Sequence, residues 1–242
     1  FLPLPSTMPK KSYTFLQQDD DHSIAIYDWV NSKVIASGKG DKQKILACAF
    51  VPGKTGSSSE LVVVGNKVIK YFTISGRGLI SKRGIIGSKK GGKIQPFLCL
   101  GFSGSSPIVG TMDGSLYLFD TNRRLSKIVD AHHGPVTALY SSPEGLISGG
   151  KDGQVLWWNT SLKMIGAGMD LSQEYFQCAS SKPRISSVCF SHDGIGNGKK
   201  TLVGTRSGEI FEIEQSEGVS ENTEDQKHAY IHRISKSHFK GK

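Results

Sequence analysis

The stretch AHHGPVTALYSSPEGLISGGKDGQVLWWN, residues 131–159, decides the fold of this 242-residue chain. Three β-rich runs lie within it, at 136–141, 145–150 and 152–159, and short turn-forming stretches separate them. Runs of this length that are bounded by Gly, Pro, Ser and Asp are typical of strands joined by hairpins. The stretch therefore predicts three consecutive antiparallel strands.

Two adjacent tryptophans, Trp157 and Trp158, lie in the third predicted strand. Side chains alternate along a strand, so the two indoles point to opposite faces of the sheet. The Asp152-Gly153 pair before them suits the hairpin turn that leads into the strand. Large aromatic groups on both faces need a packed layer on each side, which a sheet stacked between two neighbouring sheets provides. We therefore interpret this stretch as scaffold.

The same pattern occurs five times along the chain. Each copy has a turn, an apolar strand, an aromatic or aliphatic residue and usually an acidic or amide residue. The equivalent positions are separated by 45, 47, 39 and 55 residues, and a period of roughly 40–45 residues is that of β-propeller blades. These positions are Tyr27, Phe72, Phe119, Trp158 and Ile213.

Further β-rich runs precede each copy at regular offsets and a weaker one follows it, which gives four strands per unit. The sequence therefore predicts an all-β fold, a propeller of about five four-stranded blades with the first incomplete, or part of a larger or tandem propeller. We expect an irregular segment at 1–12 and a propeller domain at 13–242. The expected blades are approximately 13–37, 45–86, 94–130, 136–168 and 185–235.

The fourth copy resembles a WD repeat. Ala131-His132 stands where that family has Gly-His, and SSPEG at 141–145 stands for its Ser-Pro-Asp-Gly turn. The other copies depart from the pattern, which indicates an atypical propeller. The resemblance implies that a buried, hydrogen-bonded tetrad is formed by His132, Ser148, Asp152 and Trp158.

Several strings, in order along the chain, resemble the echinoderm microtubule-associated protein-like family. They are DDDHSIAIYDW (19–29), VGNKVIKYFTI (64–74), GRGLISKRGIIGSKKGG (76–92), AHHGPVTALY (131–140), GGKDGQVLWW (149–158) and LVGTRSGEIFEIE (202–214). The resemblance implies a non-catalytic cytoskeletal module that binds tubulin, microtubules or an associated protein, and a fragment of a longer member. The alternative is a general protein-interaction scaffold with no direct tubulin contact.

The net charge of +9 indicates an anionic partner, because a basic surface attracts acidic ones. Nucleic acid is disfavoured, since aromatic residues at base-stacking spacing are missing between the basic residues. The basic residues cluster in loops, and the alternative reading of these clusters is solvated loop charge. The candidate acidic-partner surface consists of Lys82, Arg83, Lys89, Lys90, Lys93, Arg123 and Arg124.

We expect no metal, cofactor or small-molecule substrate. The run of aspartates at 19–21 lacks the Gly and the final Glu of a calcium loop, and the glycine-rich stretch 87–93 fails the phosphate-loop pattern. Zinc ligands usually come as closely spaced Cys or His pairs, a spacing that is missing around Cys48, Cys99, Cys178 and Cys189.

No apolar run reaches the roughly 20 residues that cross a bilayer, so we expect no membrane partner. The family resemblance implies a cytoplasmic, cytoskeletal location. Catalysis is also disfavoured. His132, His133 and Ser148 bring a base and a hydroxyl together in the repeat, but a nucleophile needs an exposed hydroxyl and an oxyanion site. In a WD blade this histidine and serine are buried, so we expect no enzyme and no catalytic residues.

Overall fold

The fold is known from a computed structural model that describes residues 12–16, 20–55, 58–87, 91–143, 145–171, 183–190, 200–215 and 229–235. Nineteen β-strands are the regular elements of these ranges. No helix in the described part of the chain is long and apolar enough to span a membrane.

The strands follow one another along the chain with short turns between most of them. They are β1 Ser12–Leu16, β2 Ile24–Asp28, β3 Lys33–Gly38, β4 Ile45–Phe50, β5 Glu60–Gly65, β6 Val68–Ser75, β7 Gly78–Arg83, β8 Phe97–Ser103, β9 Ser106–Thr111, β10 Ser115–Phe119, β11 Leu125–Asp130, β12 Val136–Ser142, β13 Gly145–Gly150, β14 Gln154–Trp158, β15 Met164–Asp170, β16 Ile185–Phe190, β17 Lys200–Thr205, β18 Ile210–Gln215 and β19 Ala229–Ser235.

Consecutive strands pair antiparallel to form the blades of a propeller. The strands β8–β11, β12–β15 and β16–β19 each form a four-stranded meander. The strands β4–β7 form another, and a single parallel pair between Ser37 and Gly78 joins it to β1–β3. We therefore treat β1–β3 as the first blade, with three described strands. This confirms the predicted all-β propeller of about five blades, the first incomplete. The proposed boundary between 1–12 and 13–242 stays a prediction.

The first strands of the four complete blades lie side by side. Contacts connect β4 with β8, β8 with β12, and β12 with β16. A cavity of about 330 Å³ lies between them and is lined by residues of all four strands. The first strands therefore surround the axis of the propeller, and the later strands of each blade lie progressively further out.

Within the described ranges the hydrophobic core forms four clusters, each between two neighbouring blades. Trp158 packs with Leu116 of the third blade, whereas Trp157 packs with Phe211 of the fifth. This confirms that the two indoles lie on opposite faces of one blade. Burying an aromatic side chain removes about 150–250 Å² from water, which at about 25 cal/mol per Å² outweighs any one hydrogen bond.

One backbone hydrogen bond recurs in every complete blade. The amide just after the second strand donates to the carbonyl of the residue just before the first strand. The four bonds are Asn66 N to Lys44 O at 2.8 Å, Met112 N to Pro96 O at 3.1 Å, Lys151 N to Pro135 O at 2.9 Å, and Arg206 N to Arg184 O at 2.9 Å. They hold these turns beside the axis at one end of the propeller, which we call the upper end.

Candidate functional site

The upper end of the fourth blade contains a hydrogen-bonded group of four side chains. His132 precedes β12, Ser148 lies in β13, Asp152 lies in the following turn and Trp158 ends β14. The distances from His132 are 3.1 and 3.2 Å between Nδ1 and the Asp152 oxygens, and 2.8 Å between Nε2 and Ser148 Oγ. Trp158 Nε1 donates to the same Ser148 oxygen at 2.8 Å. The structure thus brings together the four residues of the expected tetrad.

Hydrogen-bonding capacity fixes the direction of each contact. An ionised carboxylate only accepts, so His132 Nδ1 donates to Asp152, and in the neutral ring Nε2 accepts from the Ser148 hydroxyl. Burial opposes ionisation of Asp152, but the hydrogen bonds from His132 and from the amides of Gln154 and His133 outweigh it and hold the pKa of this carboxyl below its usual 3.8. The tetrad therefore ties the turn of the blade to its core.

The order serine, histidine, aspartate matches that of a hydrolytic triad, but the surroundings differ. The Ser148 side chain is fully buried, and its oxygen already accepts the indole proton of Trp158. A nucleophile needs a substrate within reach of its hydroxyl. In this arrangement the Ser148 hydroxyl lies in the core and is not exposed to a substrate.

The other blades replace the tetrad by different polar groups. The strand register places valines where the fourth blade has Ser148. In the second blade, Lys70 Nζ lies 2.8 Å from Asp41 Oδ2 and donates to Gly40 O at 2.7 Å. Burial opposes ionisation of Asp41, but the hydrogen bond from Lys70, the Gln43 amide and nearby positive charge leave its pKa lowered. This pair was not predicted from the sequence, although a lysine within the apolar run VIKYF (68–72) indicates a buried polar contact.

In the third blade, Tyr117 occupies the strand position that Lys70 occupies in the second blade. The Tyr117 hydroxyl accepts from the Lys93 amide at 3.1 Å and from Gln95 Nε2 at 3.2 Å, while its ring is buried. The backbone of Lys93 is therefore held by the core of the blade, and its side chain is exposed. The exposed Lys93 side chain therefore extends from a backbone segment that the hydrogen bond to Tyr117 holds in place.

Arg123 of the candidate acidic-partner surface forms a contact within the chain. Its Nη1 lies 3.2 Å from Glu60 Oε1, and its guanidinium lies over the Tyr71 ring, 5.8 Å from the centroid. Lys54 Nζ pairs with the other Glu60 oxygen at 2.6 Å. Arg123 is therefore a link between the second and third blades, and we leave it out of the partner surface.

The remaining described members of that surface lie near one junction between blades. Lys82 and Arg83 end the exposed strand β7, and Arg124 is exposed in the turn before β11. Ile85 N donates to Arg123 O at 2.8 Å, so these two segments meet. Lys93 is exposed on the same connection, and Lys89 and Lys90 lie outside the described residues. We call Lys82, Arg83, Lys93 and Arg124 the junction surface.

The three cysteines in the described ranges, Cys48, Cys99 and Cys189, are free thiols whose pKa is raised by burial. Cys99 is buried and its Sγ donates to Val136 O at 3.2 Å. Burial raises the pKa of the Cys99 thiol to about 12 and that of Cys48 to about 11. Within the described residues, no group of three or more His, Cys, Asp or Glu is placed to hold a metal ion.

The meandering blades and the tetrad define a WD-repeat β-propeller. A family model described as Echinoderm microtubule-associated protein first beta-propeller matches residues 7–213. The chain belongs to this family, as the sequence strings predicted.

Individual relatives agree with that assignment. The 77 kDa echinoderm microtubule-associated protein of Lytechinus variegatus is 28% identical over 148 residues, which are 59% of this chain and 22% of that protein. Echinoderm microtubule-associated protein-like 4 of Xenopus laevis is 27% identical over 165 residues, 61% of this chain and 17% of that protein. The ciliary WD repeat-containing protein ctxp80 of Euplotoides octocarinatus is 25% identical over 208 residues, 85% of this chain and 26% of that protein. The chain thus spans about a quarter or less of each relative.

Among solved structures, the computationally designed Ika8 protein has a similar fold. The TM-score is 0.54 at 18% identity, and the match covers 83% of this chain and 57% of that one. At this identity the likeness concerns the fold alone.

Proposed function

We propose that this chain is a non-catalytic cytoskeletal module that binds tubulin, microtubules or a microtubule-associated protein. The observation that carries the proposal is family membership over residues 7–213, together with relatives that are described as microtubule-associated. The proposed location is the cytoplasmic cytoskeleton.

The binding is electrostatic in this proposal. The chain carries a net charge of +9, and the side chains of the junction surface are exposed. A partner with an acidic surface is attracted to such a patch. The buried tetrad takes no part in chemistry, and its role is to keep the fourth blade rigid.

Co-sedimentation with microtubules at low salt tests the proposal. The chain is compared with Lys82→Glu/Arg83→Glu/Arg124→Glu, which reverses three junction charges. The control is Lys33→Glu/Lys163→Glu, which reverses two exposed lysines, one at the start of β3 and one in the connection before β15. We expect the parent and the control to pellet with microtubules and the junction variant to remain in the supernatant.

Two results would contradict the proposal. If the parent does not pellet at low salt, the alternative of a general interaction scaffold with no tubulin contact replaces it. If the junction variant and the control pellet equally with the parent, the chain binds microtubules through another surface. Circular dichroism and melting temperatures that match the parent would establish that each variant is folded.

A further inference from the structure

Exposed basic residues also surround the axis at the upper end of the propeller. Every complete blade contributes at least one, from the segment before its first strand or from the turn after its second strand. We call the six residues the collar. In the described part of the chain none of them forms an ion pair. They are Lys44, Lys67, Lys93, Lys151, Arg184 and Arg206.

Backbone contacts hold the segments that carry the collar on neighbouring blades. Within the fifth blade, Arg206 N donates to Arg184 O at 2.9 Å. Between blades, Gly114 O of the third blade accepts the amides of Ala131 and His132 at 3.2 and 3.0 Å. The first strands β4, β8, β12 and β16 are also neighbours. The collar therefore follows one arc around the axis and is held by the blades.

The carboxylates at the same end leave the collar positive. Asp41 pairs with Lys70, and Asp152 pairs with His132. Asp113 is exposed among the collar residues, and its carboxylate accepts hydrogen bonds from Thr111 Oγ1 at 2.6 Å and the Ser115 amide at 3.3 Å. Only Asp41 is thus matched by a cation, whereas Asp113 and Asp152 are held by uncharged donors, and the six collar cations outnumber these three carboxylates.

Two exposed apolar side chains lie on the collar. Ile94 is 68% exposed and Met112 is 44% exposed. Ile94 follows the collar residue Lys93, and the amide of Met112 donates to Pro96 O at 3.1 Å. Apolar surface rimmed by basic side chains fits a partner that has both acidic and apolar groups.

We propose that the collar binds an extended acidic peptide segment, with one apolar side chain of the peptide on Ile94 and Met112. Packed sheets are about 10 Å apart, so the collar spans roughly 30 Å over four blades. An extended chain covers about 3.3 Å per residue, which matches a segment of about nine or ten residues. The acidic residues then fall at about every third position. This inference rests on the proposed function for the acidic nature of the partner.

Fluorescence polarisation with a labelled peptide of about ten residues tests the collar. The peptide carries glutamate at every third position and one central leucine. The collar variant is Lys151→Glu/Arg206→Glu, and the matched control is Lys33→Glu/Lys163→Glu. An exposed ion pair contributes up to about fivefold to Kd, and reversal replaces attraction by repulsion. We therefore expect the collar variant to bind at least about tenfold more weakly and the control to bind like the parent.

A separate variant tests the contact of the peptide's leucine with Ile94 and Met112. Ile94→Ser is expected to weaken binding of the leucine peptide several-fold and to leave binding of a peptide with serine in place of leucine unchanged. Equal affinity of Ile94→Ser and the parent for the leucine peptide would overturn the apolar part of the inference.

The microtubule assay separates failure of the collar from failure of the proposed function. Pelleting with microtubules without any peptide binding overturns the collar and leaves the proposed function standing. Equal loss of peptide affinity in the collar variant and the control also overturns the collar proposal, because the attraction then depends on the net charge of the chain and not on the collar residues. Absence of both peptide binding and pelleting overturns both proposals.

Discussion

Replacing Asp152 by alanine removes the acceptor that holds the upper turn of the fourth blade. The carboxylate accepts hydrogen bonds from His132 Nδ1, from the His133 amide at 2.9 Å and from the Gln154 amide at 3.1 Å. The third blade offers a matched control, Asp113→Ala, because Asp113 occupies the same place before the turn glycine.

The structure sets the size of the two effects. The His132 side chain is fully buried, so orphaning its Nδ1 proton costs about 1–3 kcal/mol. The His133 and Gln154 amides lie nearer to water, so the loss of their two hydrogen bonds adds roughly 1 kcal/mol to this cost. The total for Asp152→Ala is about 2–4 kcal/mol. Asp113→Ala costs about 1 kcal/mol or less, because Thr111 Oγ1 keeps its bonds to the amide and carbonyl of Ser115.

Thermal unfolding followed by circular dichroism measures the difference. For a chain of this size 1 kcal/mol corresponds to roughly 2–4 °C in Tm, so we expect Asp152→Ala to melt about 4–16 °C below the parent. Asp113→Ala should fall by no more than about 4 °C. Equal melting temperatures for the two variants would refute the view that the tetrad clamps the fourth blade.

Three further predictions follow from buried polar groups. Thr201→Val leaves the buried Trp157 Nε1 without its acceptor at 3.1 Å, so the free energy of unfolding should fall by about 1–3 kcal/mol in urea titrations; an unchanged midpoint would contradict this. Lys70→Met should cost about 1.5–3 kcal/mol near neutral pH. The Lys70 bond helps to hold the pKa of Asp41 below its usual 3.8, so the stability it contributes is present above this value and lost as pH falls through the lowered pKa. The variant should therefore lose less stability on acidification than the parent, and parallel curves would contradict the pairing. Cys99, whose thiol pKa burial raises to about 12, should resist alkylation near neutral pH until the chain is unfolded, as mass spectrometry of the labelled peptide would report; rapid labelling of the native chain would contradict its burial.

The fold was predictable because its signals are local and repeated. The aromatic position of each unit returns with the spacing of a blade, and the Trp157-Trp158 pair requires packing on both faces of a strand. The fourth blade carries the complete tetrad within residues 132–158, so its hydrogen bonds follow from one recognisable pattern.

The polar contacts of the second and third blades were not predictable from the sequence in this way. Lys70 meets Asp41 only because the register of β6 and the path into β4 bring them together. Arg123 reaches Glu60 across 63 positions in sequence, and its backbone has a positive φ of 63°. The sequence shows only two adjacent arginines in a loop, and this pattern is the same for an internal ion pair and for a solvated loop charge.

The collar was also missed, because its members are scattered along the sequence. Lys44, Lys67, Lys151, Arg184 and Arg206 lie in five separate connections along the chain. They become one surface only when the blades are arranged around the axis. The sequence clusters at 82–93 and 123–124 were conspicuous because they are contiguous, which is not a requirement for a binding surface.

The salt dependence of microtubule co-sedimentation tests the central claim most directly. Screening shortens the Debye length from about 30 Å at about 0.01 M salt to about 8 Å at about 0.15 M, so attraction between exposed charges weakens over this range. If the chain engages an acidic cytoskeletal partner through exposed basic residues, it should pellet with microtubules at the lower salt and bind several-fold more weakly at the higher. Binding that does not change with salt, or no pelleting at the lower salt, would contradict the account.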